Sequence, residues 1–347
     1  MAALMEDLGN PPAPASQATD PAQRKQGGAS RWLYLAAFVL ACALPLLISD
    51  YRLFQATMTL VYAMVLLGLT VLTGYSGQIS LGHGAFYAVG AYTSAILITH
   101  FGVPYYLTLP VSALICLIVG FLFGRPALKL EGHYLALATF ALAVTLPPLL
   151  KHKKLQAWTG GVQGILFDKP SAPFGLKMSP DTWLYLFTLA VALLIFVLVH
   201  NLLKGRVGRA LLAIKDQPTA AAAMGVNTSL YKSLAFSVSA LCTGVAGSLG
   251  AIAVQFVAPD SFYPLLSIMF LVGAVIGGLG SLWGALFGAM FIQFVPNVTE
   301  DISKSASWAI YGVLMLVCVF FMGDGITGAF KRGWRWVRSR ANGRDRT

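Results

Sequence analysis

Charge is scarce in this sequence. Only 11% of its 347 residues are charged and just 13 are acidic, whereas a soluble globular protein carries roughly 25% charged residues. The mean hydropathy of +0.73 agrees, so an ordinary soluble domain is excluded and the chain belongs in lipid. The acidic residues Asp50, Glu131, Asp181 and Asp260 all fall at the ends of apolar runs or between them. Ion-coupled transporters commonly keep carboxylates inside the membrane, so their absence here weakens secondary transport. Broken-helix carbonyls can still hold sodium, which keeps that alternative open. Cysteine is sparse too: Cys42, Cys116, Cys242 and Cys318 are scattered through apolar runs without a CxxC pair. Neither a disulfide framework nor a zinc site is suggested, and small buried thiols are the simpler reading.

Long apolar runs are abundant. A bilayer-spanning helix needs ~20 apolar residues, and a β-barrel would instead show alternating segments of about ten. Apolar segments lie at about 32–49, 53–73, 81–99, 104–124, 133–150, 182–203, 231–256, 264–278, 281–296 and 308–323. The fold expected is an all-α polytopic membrane protein of about ten transmembrane helices (8–10), with residues 31–330 as the transmembrane domain. The pair at 264–296 reads either as one helix or as two joined at "GGLGS". Residues 1–30 are rich in Ala, Pro, Gln and Gly and predict a disordered tail.

With both termini in the cytoplasm, 17 of the 24 Lys and Arg fall on the inner side, as the positive-inside rule asks. The exception is "KHKK" (Lys151 to Lys154), which this count puts outside. The basic tail 331–347 marks the cytoplasmic face and suits anionic lipid headgroups, a better account of the +11 net charge than nucleic acid. The loop 151–181, with "TGGVQG" and three prolines, is expected to be structured.

The stretch TGYSGQISLGHGAF (73–86) raises three possibilities. Its glycines mimic a phosphate loop, but GxxxxGK[ST] needs a lysine and a hydroxyl where this chain has His83 and Gly84. Ser80 and His83 share a helical face, yet no third group orients the imidazole, which argues against catalysis. What remains is close helix packing or a helix break. Gly77, Gly82, Gly84 and Gly90 offer this in the first half, and Gly277, Gly278, Gly280, Gly284 and Gly288 in the second. "SLGHGA" and "SLWGA" are alike enough to suggest an internal repeat.

Between two spans lies a cytoplasmic coupling loop, 204–230. In it Asp216 or Gln217 can cap a short helix, Pro218 suits its first position, and Gly225 its left-handed end. So short and alanine-rich a helix is unstable alone, and either rests on its own domain or fits into a partner.

Here a resemblance becomes specific. Thr219-Ala220-Ala221 with Gly225 resembles the "EAA…G" loop of ABC-importer permeases, with Thr219 where that family has glutamate. "GYSGQISLGHGAFYAVGAYTSA", "EGHYLALATFAL" and "VIGGLGSLWGALFGA" are similar to permeases of branched-chain amino acid ABC importers, M-type, over about 31–323. The resemblance implies a transport subunit without an ATPase site of its own, in the bacterial inner membrane. It also implies a second related permease, two cytoplasmic ATP-binding subunits that carry the ATP, and a periplasmic substrate-binding protein. The expected substrate is leucine, isoleucine, valine or a related compound; urea or short-amide import, secondary transport and, more distantly, intramembrane catalysis are the alternatives. The polar residues of the two most family-like segments, Ser76, Gln78, Ser80, His83, Tyr87, Tyr134 and Thr139, are the candidate substrate pathway. Helix-to-helix bonding is the competing account of the Ser and Thr hydroxyls, and a backbone-bonded neutral imidazole that of His83.

Overall fold

Serine, asparagine, glycine and proline punctuate the apolar runs, and helix ends fall where they stand. In the computed structural model, residues 41–45, 48–127, 132–170, 178–302 and the isolated positions 312, 313, 325 and 328 are described. The expected tails 1–30 and 331–347, and most of the spans 32–49 and 308–323, lie outside the described residues. The chain divides into two units, Met1–Ile48 and Ser49–Thr347. Residues 41–45 of the first are helical, and the second carries the elements that follow.

Those elements are α1 (Asp50–Leu69), α2 (His83–Phe101), α3 (Tyr105–Ala127), α4 (His133–Leu150), the short α5 (Gln156–Thr159), α6 (Pro180–Lys204), α7 (Arg206–Asp216), α8 (Pro218–Ala223), α9 (Thr228–Val254), α10 (Pro264–Gly277) and α11 (Leu282–Ile302). Eight of the ten expected spans therefore appear as helices, and seven described helices are long and apolar enough to cross a membrane. The exception is α2, whose small and polar residues lower its hydropathy. Residues 264–296 form two helices, because Gly278 and Gly280 adopt φ of 106° and 104° between them, a conformation that favours glycine.

Capping follows the local chemistry. The Ser179 hydroxyl accepts from Thr182 N at 3.2 Å, with Pro180 at the first position of α6. The Asn227 side chain accepts from Leu230 N at 3.0 Å to start α9.

Helices α1 and α9 are the inner pair, 78% and 83% buried along their most apolar stretches against 17% for α4. Small residues let the inner helices approach closely, as membrane helices must where lipid supplies no hydrophobic drive. A methyl on Gly68 of α1 would lie 2.7 Å from the Ser239 carbonyl of α9, and one on Gly90 of α2 would collide with Gly244.

The two ends of the bundle are distinct. At one, Ile165–Leu166 (β1) pairs antiparallel with Phe256–Val257 (β2), Lys151 bonds Asp260 at 2.6 Å, and Trp183 Nε1 donates to Tyr105 Oη at 2.7 Å. Residues 151–170 of the loop after α4 are thus structured, and KHKK belongs to this strand end. Helix α1 begins here, where Ser179 reaches Asp50, and finishes at the other end against α7, in the 204–230 loop.

Candidate functional site

The last turns of α1 are not α-helical. Thr70–Tyr75 continue it as a π-helix, a rare form frequent at functional sites, and the chain then leaves the helix until α2 starts at His83. The TGYSGQIS stretch is therefore a helix break at the loop end. Gly77 turns the chain with φ 73°. Gln78 N donates to Leu72 O at 3.2 Å, and Thr73 Oγ1 donates to Gln78 O at 3.0 Å, so the break is ordered by its own bonds.

The candidate pathway residues divide into groups. Ser76 and Gln78 lie together, with Gln78 Nε2 donating to Ser76 Oγ at 2.6 Å and reaching Lys232 O at 3.4 Å. A cleft of about 220 Å³ opens beside them, lined also by Lys215, Pro218 and Lys232. Ser80 Oγ, fully buried, accepts from Gly82 N at 3.3 Å. Thr139, across on α4, accepts from Leu81 N and donates to Ala136 O, both at 2.9 Å. His83 Nε2 stands 2.7 Å from Ser239 Oγ of α9, so its partner is a side chain rather than the backbone. Its Nδ1 is buried without a partner. Tyr87 packs its ring on Phe262 and Phe270, while Tyr134 is 71% exposed on α4 and joins none of the others. Of this set, Ser76 and Gln78 line the cleft; His83, Tyr87 and Thr139 contact neighbouring elements, and Ser80 bonds locally across the break.

No Asp, Glu, Lys or Arg is buried among the described residues; the buried polar side chains are Ser, Thr and Gln, with His83. Charge is kept to the two ends.

The glycines also divide. A methyl on Gly82 would lie 3.0 Å from Thr139 O, on Gly84 2.6 Å from Ser267 Oγ, and on Gly284 2.6 Å from Gly277 O, so these are close helix approaches. Gly77, Gly278 and Gly280, which the sequence groups with them, serve the backbone instead: each has positive φ in a turn. The π-helical end before the first turn meets the second turn, since a methyl on Gly74 would lie 2.8 Å from Gly280 N. Both SLGHGA and SLWGA therefore enter a helix from a break.

On the loop, α7 is amphipathic and buries Gly208, Leu211 and Ile214, a spacing of three that gives one helical face. Asp216 ends α7, and Gln217, extended at φ −151° and ψ 100°, precedes α8 without a side-chain cap bond. Pro218 opens the helix and Gly225, at φ 84°, closes it, with Val226 N donating to Ala221 O at 3.0 Å. Ala221 alone of Pro218–Ala223 is buried. Thr219 and Ala220 are exposed, and Met224 is 86% exposed. The tight bundle carries α8 without covering it.

Sequence reasoning missed Ser239 and Ser267, which bond His83 and Gly84 N. The signal was in α9, where serine, threonine and glycine recur through "SVSALCTGVAGSLG".

The described chain is a bundle of apolar helices of membrane-spanning length, broken at one end beside the short, uncovered α8. Residues 51–321 match the family described as branched-chain amino acid transport system / permease component. The chain belongs to that family. It is 33% identical over 309 residues, 82% of this chain and 72% of the relative, to the high-affinity branched-chain amino acid transport system permease protein LivM of Escherichia coli (strain K12). It is 27% identical over 282 residues, 76% of this chain and 88% of the relative, to the probable branched-chain amino acid transport permease protein LivH of Methanocaldococcus jannaschii. A third relative is the autoinducer 2 import system permease protein LsrC of Salmonella typhimurium, 30% identical over 230 residues, 62% of this chain and 63% of that protein. No solved structure matches at a significant level.

Proposed function

We propose that the chain is the transmembrane permease subunit of a binding-protein-dependent ABC importer that moves branched-chain or related amino acids into the cytoplasm. The observation that carries this reading is α8: a helix too short to be stable alone, fixed at both ends by Pro218 and Gly225 and left exposed on all but Ala221. Such a knob fits a socket on a partner ATPase. The length of the likeness to LivM, greater than that to LsrC, supports branched-chain amino acids over other solutes.

In this reading two cytoplasmic ATP-binding subunits hold the nucleotide, and a second permease completes the pathway. A periplasmic binding protein delivers substrate at the strand end, the chain resides in the inner membrane, and its termini are cytoplasmic. ATP-driven closure moves α8, and the inner helices switch which side the pathway faces. Ser76 and Gln78 line the inner exit, where a hydroxyl and an amide replace water around a zwitterion without a fixed charge to trap it.

The test is co-purification and uptake. Tagged chain in mild detergent should carry an ATPase and a second permease, and vesicles holding the complex should accumulate leucine only with ATP and binding protein. A chain that purifies alone and takes up substrate without ATP would overturn the reading.

A further inference from the structure

The helix break is hydrogen-bonded to the α7 side of the loop through Lys215. Lys215, beside Asp216 at the end of α7, donates from Nζ to the Gly74 carbonyl at 2.7 Å, and its stem lies on Gly77, where a methyl would sit 3.2 Å from Cγ. The last carbonyls of a helix lack intrahelical partners, and a lysine there both satisfies one and suits the negative end of the helix dipole. Gly74 in turn is packed against Gly280 of the α10–α11 turn. On the far side of α8, Gln78 Nε2 reaches the Lys232 carbonyl at the start of α9. The segments flanking α8 on both sides are therefore fastened to the same broken stretch.

We infer that Lys215 is a positioning residue for coupling: its ammonium is the latch that makes the π-helical end of α1 follow α8, and through Gly74 the α10–α11 turn follows with it. This rests on α8 being the ATPase-coupling helix. The link stays closed through the cycle, so α7 and the break move as one piece. Coupling of this kind needs a continuous physical connection between the parts that move, and Lys215 supplies it from the α7 side with a charge-assisted bond.

The test uses the full complex with its ATPases, partner permease and binding protein in proteoliposomes, reading leucine uptake per ATP hydrolysed. Lys215→Met keeps the stem and removes the donor; uptake per ATP should fall about tenfold, the loss one charge-assisted hydrogen bond commands, while ATPase co-purification is retained. Lys215→Arg should restore most of it. Arg125→Met, an equal loss of charge from the exposed end of α3, outside the 204–230 loop, should retain normal coupling. An unchanged ratio in Lys215→Met, or an equal fall in Arg125→Met, would overturn the latch.

A covalent replacement tests the same link independently of folding in Lys215→Met. A methyl on Gly77 would lie 3.8 Å from Lys215 Cβ, within the ~3.5–4.5 Å that a disulfide requires. Gly77→Cys with Lys215→Cys should be uncoupled when reduced and, when oxidised, recover to the level of Gly77→Cys alone, the reference for the left-handed backbone at Gly77; no recovery toward that level would also overturn the proposal. Failure of the coupling reading looks different. If Gly225→Leu transports normally, α8 is not the coupling helix; if it stops uptake while Lys215→Met does not change the ratio, only the latch falls.

Discussion

Gly225 separates what α8 owes to its own chain from what it owes to a partner. The residue stands at φ 84°, and a methyl placed on it would have nothing within 4 Å. Left-handed backbone costs any L-residue there about 1–2 kcal/mol, and Asn less. Gly225 is exposed and its Cβ position open, so within this chain leucine and alanine are expected to cost about the same. Gly225→Ala and Gly225→Leu should therefore lower the thermal stability of the purified permease about equally, by about 1 kcal/mol. In ATP-driven uptake they should part. Alanine should lose at most about thirtyfold, the population cost of the backbone strain, whereas leucine, with bulk aimed into a docked surface, should abolish uptake. Gly225→Asn should transport almost normally. The assay is leucine uptake by vesicles with matched amounts of assembled complex. Equal uptake by the alanine and leucine variants would refute docking at Gly225, and normal uptake by leucine would remove the coupling role of α8.

The buried polar residues give sharper numbers for stability. Thr139→Val keeps the shape but orphans the partly buried Leu81 N–H, now bonded at 2.9 Å; denaturation of the purified permease should show a loss of about 1 kcal/mol. His83→Asn should destabilise by a similar ~1–3 kcal/mol, through lost packing and a displaced Ser239 bond, without altering the apparent affinity for leucine. A changed affinity with unchanged stability would put the imidazole on the pathway. Gly84→Ala drives a methyl to 2.6 Å from Ser267 Oγ, the acceptor of Gly84 N. That overpacking should cost about 1–3 kcal/mol and show as reduced accumulation in the membrane.

Hydropathy is enough to read the helices because apolar length is a local property. It places eight spans near their observed positions, and the Pro218–Gly225 helix is legible because its start and stop signals sit within the segment itself. The division of the glycines is not legible. Gly82 and Gly278 look alike in sequence, but one borders Thr139 from a distant helix and the other bends its own backbone. Such a difference lies in what approaches, which periodicity does not record. The same limit explains the pathway residues. Ser80, His83 and Thr139 group by sequence as polar residues of motif-rich segments, yet each finds its partner within the protein. Polar groups in lipid must be satisfied internally, so a hydroxyl at a helix break is first of all a replacement for the missing backbone bonds.

That requirement also accounts for the position of the break. An irregular backbone is tolerated at membrane depth only where protein or a water-filled cavity surrounds it. Ser76 to Gly82 meets the condition with Thr73, Thr139 and Lys215 bonding it or its flanking carbonyl, and with a small cleft beside Gln78. A continuous helix there would need no lysine from α7 and would leave α8 without this hold on α1. The irregular stretch thus makes the bundle slightly weaker locally and gives the loop something to grip. The glycines of TGYSGQIS, which imitate a nucleotide loop, permit that exchange by letting Lys215 lie against Gly77 and Gly280 against Gly74.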